Sequence, residues 1–213
     1  MLELFYYPSN ASLAPHVLLE ELGASYELRL VDRDTGALDS PAYRRLNPSG
    51  LIPALRDGEL VLFESAAICL HLCDTHPDAG FAPHLGTPER AHFYKWLSWL
   101  SSTLQPTILL GHYAARWCSD STAASELRTK AESRASELLS LADAELARHG
   151  GPFLLGERYT ALDAYALMLC RWSRNFARPA RRMQSLGPYV ERLLERPATI
   201  RAFEQERLPK PWA

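Results

Sequence analysis

The 213-residue sequence predicts an α/β domain followed by an all-α domain. Three observations carry that prediction. Short β-rich runs alternate with amphipathic helical patterns up to residue 77, a stretch rich in Gly and Pro follows, and every periodic segment beyond it has helical spacing.

The elements can be justified in order. The run LELFYY at 2–7 is short and β-rich. In SLAPHVLLEELG at 12–23, Leu13, Val17, Leu18 and Leu22 fall on one helical stripe, and Gly23 suits a C-terminal cap. Pro15 lies in the first turn of that helix, where a missing N–H costs little. YELRLV at 26–31 alternates like a half-buried strand, and SPAYRRLNPSG at 40–50 reads as a short helix stopped by Asn47 and Pro48. IPALRDGELVLF at 52–63 divides into two strands about Asp57-Gly58, a hairpin signal. ESAAICLHLCDTHP at 64–77 is a helix with an acid at its start and a proline past its end. The order β-α-β-α-β-β-α implies a small mixed sheet whose parallel pair is joined by a helical crossover.

Beyond the linker, residues 88–117 form a long helical pattern with a wide apolar face, and 123–150 form an amphipathic one ended by Gly150-Gly151. Residues 162–176 are apolar nearly all round, as a central core helix requires, and 186–206 give two short helices broken at Pro197. The domains are set at 1–78 and 88–213, with a linker at 79–87.

The totals exclude several classes of function. Lys plus Arg is 23 and Asp plus Glu is 25, so there is no basic excess to recruit nucleic acid or an anionic membrane. Arg171, Arg174, Arg178, Arg181 and Arg182 form a local basic cluster, which reads as a solvated helix face or ion pairs. The N-terminus lacks the basic and apolar regions of a signal peptide, and no stretch reaches the roughly 20 apolar residues of a membrane span. A cytoplasmic location is expected. The four cysteines contain no CxxC spacing, so metal binding and thiol redox work are not expected, and they read as buried, reduced side chains.

Three segments are placed for chemistry. At 4–23 an apolar run stops at Pro8, and Ser9, Asn10, Ala11 and Ser12 then lead into the first helix. The positive end of a helix holds anions well, and Ser12 also suits its N-cap. Pro53 opens a strand either as an ordinary trans proline or as a cis proline whose preceding backbone would face an extended ligand. Glu64 and Ser65 begin the next helix, either as plain caps or as holders of a ligand carboxylate. Separately, Thr160 lies three residues before Asp163 at the head of the core helix, a capping box whose work is folding.

Taken together, the β-α-β-α-β-β-α order, LIP before a strand, ES at the third helix and TALDAY in an all-helical domain resemble the cytosolic glutathione transferases over essentially the whole chain. The segment YYPSNASLAPH is similar to the bacterial beta-type members. The resemblance implies a thioredoxin-like first domain, glutathione as co-substrate, no metal, a homodimer and a small hydrophobic electrophile as second substrate. It implies a cis Pro53, with the Ile52 backbone pairing the cysteinyl part of glutathione and Leu51 beside it. Glu64 and Ser65 would hold the γ-glutamyl end.

The resemblance also fails at informative places. The beta-type cysteine position is Ala11, the usual histidine of the helical domain is Gln105, and Leu51 stands where many relatives carry a polar residue. Ser9 then takes the place of the thiol-activating serine of other groups, with Asn10 as an amide donor, Ser12 as the competing hydroxyl and Tyr6 and Tyr7 as further candidates. The electrophile pocket is expected between the domains, walled by Tyr113, Trp117 and Trp172. The readings left open beside conjugation are another glutathione-dependent reaction, such as isomerisation, dehalogenation or peroxide reduction, and a non-catalytic glutathione- or ligand-binding member.

Overall fold

The computed structural model describes residues 1–212; Ala213, the last residue of the expected helical domain, lies outside them. The chain divides into two units, residues 1–82 with 195–212, and residues 83–194. The division departs from the boundaries read in the sequence, because the last helix groups with the N-terminal sheet.

In the first unit, β1 (Leu2–Tyr6), β2 (Tyr26–Leu30), β3 (Ala54–Asp57) and β4 (Leu60–Phe63) form one sheet in the order β2-β1-β3-β4. β1 runs parallel to β2 and antiparallel to β3, and β3 pairs antiparallel with β4 across the Asp57-Gly58 hairpin. The parallel pair is joined by α1 (Leu13–Leu22), whose end is marked by Gly23 in the left-handed region at φ 60°. Alternation in β1 sends Leu4 to a core with Leu13, Val17 and Leu18 of α1 and Ile68 and Leu72 of α3 (Ser65–Thr75), all fully buried. Phe5 and Tyr7 point to the other face, where α2 (Pro41–Leu46) sets Tyr43 against Val31 and Ile52. Beside this cluster Glu3 pairs with Arg29 of β2 and Arg56 of β3. Burial alone would raise the Glu3 carboxyl, but the two guanidiniums override it and hold it below its ordinary range.

The last helix, α9 (Pro197–Gln205), lies along α1. Arg196 clamps Glu21 with two bonds, one of 2.7 Å, and Arg201 and Gln205 both reach Glu20. Pro197 occupies the first turn of α9, so it begins a helix as well as breaking one.

The second unit is helical. The expected single helix over 88–117 is instead α4 (Pro88–Trp99), a π turn at Leu100–Leu104, α5 (Gln105–His112) and a short 3₁₀ turn at Ala114–Arg116. The periodicity hid this break, because a π turn adds one residue without disturbing the apolar character of the face. α6 (Ser121–His149) is capped by Asp120, whose carboxylate accepts the Ala123 N–H at 2.9 Å. All twelve residues of α7 (Ala161–Trp172) are buried, as its all-round apolar pattern requires. Arg171 is among them, so it does not belong to the solvated basic face expected of its neighbours, whereas Arg178, Arg181 and Arg182 are exposed. α8 (Leu186–Leu194) completes the unit. Among the described residues, no helix is long and apolar enough to cross a membrane.

The Thr160–Asp163 capping box forms in full. Asp163 is wholly buried and accepts the N–H groups of Leu154 and Thr160 and the hydroxyls of Thr160 and Tyr189. Burial pushes its carboxyl up, against the four donors that favour the charged form.

Candidate functional site

Two helix beginnings and one loop of the first unit converge. The loop after α2 is fixed first. Tyr43 Oη donates to the Leu51 carbonyl at 2.7 Å, and Asn47 Nδ2 donates to the same oxygen at 2.8 Å. Both side chains are buried, so the backbone entering residue 52 is held from within. Gly50 at φ 66° makes the turn, and a β-carbon there would strike the Arg44 guanidinium, which itself donates to the Pro48 carbonyl. The Ile52–Pro53 peptide is cis. Ile52 and Pro53 are buried, whereas the Leu51 side chain is 57% exposed.

The start of α3 is uncapped. Glu64 is the N-cap residue, exposed, at φ 72° and ψ 112°, and its side chain makes no capping bond. Ser65 does not cap either: its hydroxyl donates to the Ala11 carbonyl at 2.8 Å. The first intrahelical bond runs from the Ile68 N–H to the Glu64 carbonyl, so the N–H groups of residues 65 to 67 have no partner within the helix. A non-glycine residue in the left-handed region costs roughly 1 kcal/mol or more. That cost is borne at a helix start whose donors and dipole suit an anion.

The Ser65–Ala11 bond ties this start to that of α1. Asn10 turns its side-chain oxygen to the Ala11 N–H at 2.8 Å, which leaves its NH₂ as a donor. Ser9 is half-buried at φ 61°, and its N–H donates to Glu206 Oε2 at 2.8 Å. Ser12 stands at the N-cap of α1 but makes no side-chain cap bond. Wholly buried, its hydroxyl donates instead to the Tyr7 carbonyl at 3.3 Å. Of the three candidates in this segment, Ser9 and Asn10 are half-buried and Ser12 is withdrawn from solvent.

Behind them lies a polar group that the sequence did not reveal. Glu206 and His16 are buried, and Glu206 Oε1 meets His16 Nδ1 at 2.9 Å. Glu206 reads in the sequence as one more acid of an amphipathic terminal segment, and only the return of the chain to α1 buries it. Tyr6 feels this group: burial pushes its phenol up, and the Glu206 charge adds to the effect. The Tyr7 phenol is also raised, by its bond to Asp34. Both tyrosines therefore remain neutral O–H donors at ordinary pH.

The four cysteines are free. Burial pushes the Cys170 thiol up to about 12 and raises Cys69 well above its usual value, so neither supplies a thiolate at neutral pH. Among the described residues, no group of His, Cys, Asp or Glu is placed to hold a metal ion.

The residues expected to face an electrophile belong to the second unit. Trp172 is only 6% exposed, while Trp117 is 72% exposed. Tyr113 carries the Arg116 guanidinium over its ring at 4.2 Å. Gln105 follows the π turn, and its side-chain oxygen accepts the Tyr165 hydroxyl.

Comparison with known proteins is consistent over the whole chain. Residues 1–74 match the family model described as glutathione S-transferase, N-terminal domain. The chain is 30% identical over 211 residues to glutathione S-transferase 3 of Zea mays, covering 93% of each chain. A bacterial beta class glutathione S-transferase of Sphingomonas chungbukensis is 30% identical, with a TM-score of 0.82 over 97% of this chain and 100% of that one. A sphingomonad glutathione S-transferase complexed with glutathione is 29% identical, with a TM-score of 0.83 over the same shares.

Proposed function

The chain belongs to the glutathione S-transferase family, and from that premise we propose that it conjugates the thiol of glutathione to small hydrophobic electrophiles through donors at Ser9 and Asn10. The observation that carries this reading is the open start of α3, with Glu64 at φ 72° and the Ser65 hydroxyl bonded to the loop of Ser9 and Asn10. The first-turn N–H groups, that of Ser65 among them, take the γ-glutamyl carboxylate, beside Glu64. The Ile52 backbone pairs with the cysteinyl part, with the exposed Leu51 beside it, and the sulfur reaches the α1 entrance.

A free thiol titrates near 8.5, so most of it is protonated at neutral pH. Lowering that value by about two units requires roughly 2.7 kcal/mol, which one or two charge-assisted hydrogen bonds and a helix dipole supply. Ser9 and Asn10 are the hydroxyl and amide donors offered for the purpose, and Ser12 is the reserve. The likeness to a beta class enzyme supports a beta-type ancestry, but Ala11 removes the cysteine that would form a mixed disulfide. Tyr113, Trp117 and Trp172 are the apolar contacts proposed for the electrophile. The functional form is proposed as a cytoplasmic homodimer, after the habit of the family.

Calorimetry with glutathione and turnover of a chlorinated aromatic test the reading together. Binding with turnover that falls in Ser9→Ala is expected. No heat at millimolar glutathione removes the co-substrate, and unchanged turnover in Ser9→Ala removes Ser9 from the mechanism.

A further inference from the structure

The buried pair behind Ser9 belongs to no part of the chemistry described above, although it touches the loop that performs it. The Ser9 N–H donates to Glu206 Oε2 at 2.8 Å, and the other oxygen of the same carboxylate meets His16 Nδ1 at 2.9 Å. On the far side of the ring, His16 Nε2 lies 2.8 Å from Gln205 Oε1 and 3.1 Å from Tyr26 Oη. Gln205 Nε2 donates to Glu20, which fixes its amide so that the oxygen faces the histidine. Tyr26 gives its own proton to Glu20 or to Gln205. Both ring nitrogens therefore meet acceptor oxygens, so the ring is held from two sides.

We infer that Glu206 is a positioning residue for thiol activation: it anchors the Ser9 N–H in the left-handed conformation that aims the hydroxyl, and His16 holds the carboxylate from its other oxygen. This rests on Ser9 being a thiolate donor. The two roles need each other. Ser9 at φ 61° is disfavoured for a side chain of its type, so an outside hydrogen bond has to hold its peptide. The carboxylate has to keep its own place to do so, and the His16 ring on its other oxygen fixes it there. The other charged or titratable groups around the pair are Tyr6 of β1, Tyr26 of β2, Glu20 of α1, Arg201 of α9 and Arg207 just beyond it. Glu20 and Arg201 pair with one another at 2.6 Å.

The test follows the ultraviolet absorbance of the thiolate of bound glutathione against pH in the full chain. Glu206→Asp, which keeps the charge but withdraws the carboxylate from the Ser9 N–H, should move that titration upward, in the same direction as Ser9→Ala. It should lower kcat about tenfold while the KM for glutathione stays within about twofold, because the loss falls on the activated state and not on ligand binding. In the Ser9→Ala background, Glu206→Asp should add no further shift. Glu206→Gln, whose amide oxygen still accepts the Ser9 N–H while the charge is gone, should not raise the titration, and an upward shift in it overturns the inference. Glu21→Gln, which loosens α9 through Arg196 without touching Ser9, should lower the melting temperature and leave the titration in place. A stability loss in Glu206→Asp without a titration shift, or shifts that add in the double variant, overturns the inference. A titration unmoved in Ser9→Ala removes the donor assignment on which it stands, whereas a shift in Ser9→Ala alone overturns only the role of Glu206.

Discussion

The starts of α7 and α3 carry the same kinds of residue and do opposite things. At α7, Thr160 and Asp163 exchange both capping bonds, and Asp163 accepts four donors in complete burial. At α3, Glu64 caps nothing, sits at φ 72° and leaves the first-turn N–H groups open. A helix start whose donors are consumed internally stabilises its own unit. One whose donors are left open, at the cost of backbone strain, is kept for something outside the chain.

This contrast can be broken at either end. Asp163→Ala should have the largest effect, since it leaves four buried donors without their charged acceptor. A destabilisation of about 3 kcal/mol or more is expected, read as a fall in melting temperature, with glutathione affinity retained in whatever remains folded. Ser65→Ala should do the reverse. Glutathione binding by calorimetry should weaken about tenfold or more, equivalent to roughly 1.4 kcal/mol, while the lost bond to Ala11 costs only about 1 kcal/mol of stability.

Glu64→Gly sharpens the comparison further. Glycine adopts a positive φ without strain, so stability should rise or hold, by up to about 1 kcal/mol, while affinity for glutathione falls. A variant that loses both would show that Glu64 serves the fold after all. The smallest effect is expected away from both helix starts. The depressed carboxyl of Glu3 contributes stability that is present above its ordinary value of 4.5 and is lost as pH falls through its lower folded value. Glu3→Gln should therefore flatten the acid side of a plot of melting temperature against pH and leave glutathione binding alone.

Periodicity and punctuation carried most of the fold. The strands, the hairpin at Asp57-Gly58, the stop at Gly23 and the capping box were legible because each is enforced by residues within a few positions of one another. The π turn at 100–104 was not, since nothing in its composition interrupts the helical pattern. Within the site, Pro53, Glu64, Ser65 and the Ser9–Ser12 segment could be singled out by type and place. Whether a serine caps a helix could not. Ser12 and Ser65 both look like caps, and both spend their hydroxyls on carbonyls outside their own helices. His16 and Glu206 are illegible for a related reason, since they meet across 190 residues, and Tyr43 and Asn47 because they bond a backbone carbonyl of the following loop, which no residue type marks.

The return of residues 195–212 to the first unit has a consequence for anyone who cuts or grafts this chain. The thioredoxin-like half is not a contiguous stretch, for α1 receives Arg196, Arg201, Gln205 and Glu206 from the far end. A fragment ending at residue 82 would bare the buried His16 and leave the Ser9 peptide unanchored. A chimera joined at the linker would set the first helix of one parent against the last helix of another. Any exchange of halves has to carry the final eighteen described residues with the first eighty-two.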